Sequence, residues 1–251
     1  MSAVKEVNLN LWGSGIVTEL FNGVIIFLIY LIPLASIILL IRKFTKIPGE
    51  LFRKILHFIL LGAYIPLLFG FDTWWVCLIF VVSLAFFLFP TLFFIGKVPG
   101  FSSFVNERKK GEFKSSMLKA IGIMAFSITI GWGLIGDKYI VLASIYSWGV
   151  GDAFAALIGK KFGKHKITWR FVDNKKSIEG SIAMFITSAL AILIVLLVRG
   201  GLNTLFIICI SLIASTVSTF VELCSKNGTD TVSCPVMSML IILPLIMVFG
   251  G

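Results

Sequence analysis

The sequence predicts an all-α fold, a polytopic bundle of about eight membrane-crossing helices. Of its 251 residues, 58% are hydrophobic and only 14% are charged, whereas soluble domains run at about a quarter charged. Mean hydropathy is +1.04. The apolar residues are gathered into runs of span length, as a bilayer core that takes roughly 20 helical residues to cross requires.

The runs fall at 23–41, 55–70, 74–95, 117–136, 138–159, 181–198, 202–222 and 232–250. The second is short, and the breaks at 70–74 and 136–138 leave room only for tight turns. Basic residues then set the topology. The first-to-second link carries Arg42, Lys43, Lys46, Arg53 and Lys54, and the third-to-fourth carries Lys97, Arg108, Lys109, Lys110 and Lys114. The fifth-to-sixth carries Lys160, Lys161, Lys164, Lys166, Arg170, Lys175 and Lys176, while the alternate links hold only Lys138 and Arg199. By the positive-inside rule the N-terminus lies outside and the basic links lie in the cytosol, with the seventh-to-eighth link LCSKNGTDT beside them. The net charge of +10 reads as the same rule at work, with membrane lipids and an anionic ligand as partners rather than nucleic acid.

No cleaved signal peptide, fixed-period repeat or domain-splitting linker is evident, so residues 1–251 read as a single transmembrane helical domain. A bacterial plasma membrane and the endoplasmic reticulum both suit it. Cys77, Cys209, Cys224 and Cys234 form no C-x-x-C pair and read as small buried packing residues. The link from Gly96 to Ser116 sets Phe101, Phe104 and Phe113 among basic residues, the pattern of an interfacial helix. Glu107 and Glu112 in that link read as solvated.

Four stretches carry chemistry. Residues 151–181, GDAFAALIGKKFGKHKITWRFVDNKKSIEGS, begin with Asp152 inside an apolar run. A carboxylate at membrane depth is costly and marks a functional site facing the bundle interior. Small residues around it (Gly149, Gly151, Ala153, Ala155, Gly159) admit a close neighbour. Lys160, Lys161 and Lys164, interleaved with glycines, offer point charges and free amides to phosphate, although the Walker A spacing is absent. A small-residue packing face ending in snorkelling lysines accounts for all of this except Asp152.

In ELFRKILHF, residues 50–58, a helix puts Arg53 and His57 on one face, with Lys54 about 100° round. Arg53 and His57 together suit an anionic phosphate or a lipid headgroup, or equally a positive-inside cluster whose histidine is satisfied by a backbone carbonyl. In KKSIEGS, residues 175–181, Ser177 and Glu179 can cap the sixth span. Alternatively, Lys176 binds phosphate and Glu179 partners Asp152 at a metal. In VELCSKNGTDTVSCP, residues 221–235, Glu222 ends the seventh span and Asp230 lies in a glycine-containing turn before Pro235.

Taken together, RKILH, GDAFAALIGKKFGK, KSIEG and VELCSKNGTD resemble the CTP-dependent lipid-alcohol kinases, which include dolichol kinase, phytol kinase and the yeast-type diacylglycerol kinase. The resemblance spans about residues 50–236. It implies γ-phosphoryl transfer from CTP to a lipid hydroxyl with Mg²⁺ or another divalent cation, and a nucleotide-binding segment within 151–181 on the cytosolic face. By residue it implies phosphate binding at Lys160, Lys161, Lys164, Lys176, Arg53, Lys54 and His57. It implies metal binding at Asp152, Glu179 and Glu222, and catalysis by Asp152, Asp230 and Glu179. One position departs: Asp230-Thr231 stands where the family often has Asp-Asn. The chain is distantly similar to the phosphatidate cytidylyltransferases as well. Their C-terminal signature, rich in His-Gly-Gly and ending Asp-Arg, has no counterpart after Glu222. A transporter with Asp152 as an ion relay is the alternative of a different class, but it predicts paired acids or broken helices in two halves, and the sequence shows none.

Overall fold

The computed structural model describes residues 2–45, 47–95, 97, 111–169, 172, 176–225 and 228–249. Lys46, Arg108, Lys109, Lys110, Arg170 and Lys175 lie outside the described residues, as does most of the stretch expected as an interfacial helix. The side chains of Glu112 and Phe113 fall outside them too.

The helices run in order α1 Ser2–Phe44, α2 Gly49–Gly62, α3 Tyr64–Phe69, α4 Trp74–Ile95, α5 Glu112–Ser127, α6 Lys138–Phe162, α7 Ile178–Arg199, α8 Thr204–Cys224 and α9 Asp230–Phe249, with a π-helical stretch Ile128–Leu134 continuing α5. Among the described residues, eight segments are long and apolar enough to cross a membrane, and each overlaps one expected run. The short second run is α2 and α3 together, joined at Ala63, whose N–H still reaches the Ile59 carbonyl. The protein is thus an all-helical, multi-pass integral membrane protein. Among the described residues there is no strand, only an isolated antiparallel bridge between Lys166 and Ser177.

Several helices start earlier than expected, α1 at Ser2, α2 at Gly49 and α5 at Glu112, and three further differences lie at the site. Helix α6 runs on to Phe162, so Lys160 and Lys161 sit in its last turn, where cations favour the helix dipole. Helix α7 starts at Ile178, which puts Glu179 in its first turn, the favourable end for an acid. The turn expected to reach Pro235 instead ends where α9 begins, at Asp230, and Pro235 is buried inside the helix. Proline is tolerated there because neighbouring helices surround the backbone it frees.

Helix α6 is the core element. Its buried residues run from Ile140 through Trp148 and Gly149 to Ala153. Glycine is required twice on it: a Cβ at position 149 would run into Leu61 of α2, and one at 151 into Ser188 and Met184 of α7. These two absences of a side chain let α2 and α7 close on α6. Deeper in the bundle, Ser147 of α6 meets Ser218 of α8 at 3.3 Å and Ser238 of α9 at 2.8 Å, and Ser188 of α7 donates to the Ser147 carbonyl. Interhelical hydroxyl bonds in a membrane bundle contribute about 0.6 kcal/mol each. Cys77 and Cys234 are buried packing residues as expected, whereas Cys209 is exposed on the bundle surface, where a lipid-facing apolar run needs no burial.

The polar contacts gather at two ends. At one, Glu19 accepts from the backbone amides of Asp72 and Thr73 and from the Thr73 hydroxyl, and Arg199 pairs with Asp137 at 2.6 Å. The opposite end carries the α1–α2, α6–α7 and α8–α9 links and every candidate residue named above.

Candidate functional site

The deepest charge is held by a partner from another helix. Lys54 on α2 is buried, with its Nζ 2.6 Å from the Asp152 Oδ2 and 3.3 Å from the Asp152 carbonyl oxygen on α6. Either charge alone at that depth would cost several kcal/mol, so each accounts for the other. The expected grouping of Arg53 with His57 is divided. Arg53 pairs with Glu50 at 2.7 Å within its own helix. His57 places Nε2 3.1 Å from the Gly149 carbonyl, the backbone satisfaction weighed from sequence. Its ring stands edge-on to Trp148, with centroids 5.1 Å apart.

A second cation–carboxylate pair lies on α8. The Lys176 Nζ is 2.8 Å from the Glu222 Oε1 and also donates to the Glu222 carbonyl and, at 3.2 Å, to that of Ser225. The Glu222 carbonyl also accepts from the Ser225 amide at 3.0 Å, so the lysine adds a second donor at the end of α8 as well as neutralising its last acid. Asp230 opens α9 and accepts from the Trp148 indole N–H at 3.4 Å. Asp152, Glu222 and Asp230 lie within electrostatic reach of one another, with Lys176 among them. Helices α2, α6, α8 and α9 and the link before α7 therefore bring Lys54, Asp152, Lys176, Glu222 and Asp230 to one place, although no two of these five are closer than 8 residues in sequence.

Glu179 does different work. Its Oε1 accepts from the amides of Lys164 at 3.1 Å and His165 at 3.2 Å and lies 2.7 Å from the His165 Nδ1. Ser177 caps α7 by accepting from the Gly180 amide at 3.2 Å. The Ile167 and Ile178 amides donate to the carbonyls of Lys176 and His165, so the link folds back on itself. Glu179 is thus engaged with the α6–α7 link, the segment that also carries Lys176. Lys160 and Lys161, in the last turn of α6, and Lys164, in the link, are exposed.

Among the described residues no three histidines, cysteines or acids converge into a ready metal-ligand group. The donor set nevertheless fits Mg²⁺, which keeps much of its water and usually takes one or two carboxylates together with substrate phosphates. Asp152 and Glu222 offer such oxygens, each facing a lysine.

Trp148 was not singled out from sequence, since an aromatic in an apolar run reads as packing. Its signal was position: one helical turn before Asp152. His165 was missed as well, because nothing local ties it to Glu179.

The sequence profile of the cytidylyltransferase family matches residues 10–225 of the chain. No curated protein and no solved structure matches it. The matched region contains Lys54, Asp152, Lys176, Glu179 and Glu222, and ends before α9 and Asp230.

Proposed function

We propose, for a chain that belongs to the cytidylyltransferase family, that this CTP-using membrane enzyme transfers the γ-phosphoryl group of CTP to the hydroxyl of a lipid alcohol. Polyprenols such as dolichol, phytol-like isoprenoid alcohols and diacylglycerol are the acceptor classes. The observation that carries the reading is the pairing of Lys54 with Asp152 and Lys176 with Glu222 around Asp230. Phosphoryl transfer asks a protein mainly to position its reactants and neutralise charge. Lysines that leave a carboxylate for a phosphate, and carboxylates freed to take a divalent metal, supply both.

In this reading Lys54 and Lys176 bind the phosphates, with Arg53 beside them on α2 and His57 fixing α2 against α6. Lys160, Lys161 and Lys164 raise the local concentration of the anionic nucleotide from the outer surface of the 151–181 segment. Asp152 and Glu222 hold the metal, with Glu179 supporting from the link. The metal, when bound, neutralises charge on the terminal phosphates. Asp230 accepts the proton of the lipid hydroxyl, with Asp152 as the alternative base. The hydroxyl oxygen forms a bond to the γ-phosphorus, the bond from that phosphorus to the bridging oxygen breaks, and CDP leaves with the electron pair. The whole chain acts as one helical domain. Its site faces the cytosol, where CTP is available, and a long-chain alcohol presents its hydroxyl from the side at headgroup level.

A second reading is favoured by the family's own description: cytidylyl transfer to phosphatidate, with release of pyrophosphate. The absence after Glu222 of the His-Gly-Gly and Asp-Arg signature, and the presence there of VELCSKNGTD, favour the kinase. The test uses purified protein in detergent with Mg²⁺, CTP labelled separately at the α- and γ-positions, and a panel of lipid alcohols and phosphatidate. γ-Label is expected in the lipid, falling at least about 100-fold in Asp152→Asn, the scale on which removed catalytic electrostatics are felt. α-Label in the lipid would establish the cytidylyltransferase and overturn the kinase.

A further inference from the structure

Trp148 is buried on α6, one turn before Asp152, and joins three helices at the site. Its indole N–H donates to the Asp230 Oδ2 on α9 at 3.4 Å, and its ring packs edge-on against His57 of α2. An indole is a donor only, and a buried one needs an acceptor. Serine hydroxyls lie nearby on the same helix, at Ser144 and Ser147, yet Ser144 donates to the Ile140 carbonyl and Ser147 bonds across to α8 and α9. The indole turns instead to a carboxylate at the first turn of another helix. Packing alone would be served by phenylalanine at this position. The N–H is what tryptophan adds, and it meets Asp230.

We infer that Trp148 is a positioning residue for Asp230. The indole N–H holds one carboxylate oxygen, which sets the plane of the carboxylate and leaves Oδ1 to receive the proton of the acceptor hydroxyl. Through the edge contact with His57, the same ring ties that orientation to α2, the helix that carries Lys54. A movement of Lys54 from Asp152 to a phosphate is therefore felt at the base. Hydrogen bonds of this kind are commonly long before substrate binds and tighten in the reactive complex. The inference rests on the reading of Asp230 as the base, and the experiment separates the two.

Trp148→Phe keeps the ring and removes the N–H. In the full chain in detergent, kcat for label transfer is expected to fall roughly 10- to 100-fold, within the contribution of a positioned general base. KM for CTP and for the alcohol should stay within about twofold, because the ligand-binding lysines are untouched. Trp148→Phe combined with Asp230→Asn should be no slower than Asp230→Asn alone, since the tryptophan acts through that carboxylate. A second readout needs no turnover. In protein labelled with ¹⁵N at the indole nitrogens of its 6 tryptophans, the Trp148 signal, identified by its loss in Trp148→Phe, should move in Asp230→Asn. If Trp148→Phe fails to fold, the Asp230→Asn shift is read by elimination among the signals that remain in place. An unmoved spectrum, or an unchanged kcat in Trp148→Phe beside an inactive Asp230→Asn, overturns the positioning role alone. An active Asp230→Asn overturns the base assignment on which it stands.

Discussion

Asp152 keeps 23% of its side chain exposed, and the lysine that faces it keeps 7%. A pair so placed is held by mutual neutralisation, and the loss of one member leaves a buried charge. Lys54→Met is therefore expected to destabilise the protein by about 3 kcal/mol, the usual cost of breaking a buried pair. The measurement is the thermal midpoint in detergent. Lys54→Met combined with Asp152→Leu removes both charges and should recover most of that loss, within about 1 kcal/mol, since apolar replacement of a buried pair is often neutral. The double variant should remain without label transfer. Recovery of stability without recovery of transfer separates what the pair does for the fold from what Asp152 does for the reaction. A single variant as stable as the parent would mean that the pair is solvated and carries no such load.

At the scale of elements, two features make the site. The first is the close approach of α2 and α7 to α6 at Gly149 and Gly151. Gly151→Val sets branched carbons against Ser188 and Met184, and is expected to cost about 1–3 kcal/mol by overpacking, read as a lowered thermal midpoint. The second is the link between α6 and α7, folded on the Glu179 carboxylate. Glu179→Ala removes the acceptor for the Lys164 and His165 amides. Faster tryptic cleavage after Lys164 and Lys166 is expected, together with a several-fold rise in KM for CTP, because the same link carries Lys176. Unchanged cleavage would assign the order of the link to its backbone bonds at Ile167 and Ile178 instead. Here the sequence reading was half sufficient. Ser177 and Glu179 were legible as a helix start, since capping is local. The partnership of Glu179 with His165 was not legible, because the two stand 14 positions apart in the chain.

For the whole molecule, the question is which way the bundle lies. The basic links and the site share one end, and the Arg199–Asp137 pair marks the other. In a background with Cys209 and Cys224 replaced by serine, Lys166→Cys is expected to react with a membrane-impermeant maleimide only in inside-out vesicles. Thr204→Cys, exposed at the start of α8, should react only in right-side-out vesicles. The reverse pattern would place the site outside, away from CTP, and would count against the proposed reaction.

Sequence by itself determined what depends on neighbours along the chain. The eight spans follow from the length of apolar runs, and the basic residues at every second link predict which ends share a face. Asp152 stood out because a lone acid in an apolar run is conspicuous in one dimension. Partnership was different. Helical periodicity puts Arg53 and His57 on one face and left two readings equal, a shared phosphate site or a histidine satisfied by a backbone carbonyl. In the fold Arg53 pairs with Glu50 and His57 meets the Gly149 carbonyl. Lys54 was the residue that met Asp152, 98 positions away. Which face of α2 meets α6 is set by where Gly149 and Gly151 let its neighbours in. Burial of charge then selects the pairs, because at that depth only opposite charges brought into contact are tolerated. That selection is made by packing in three dimensions, and the chain alone carries no local signal for it.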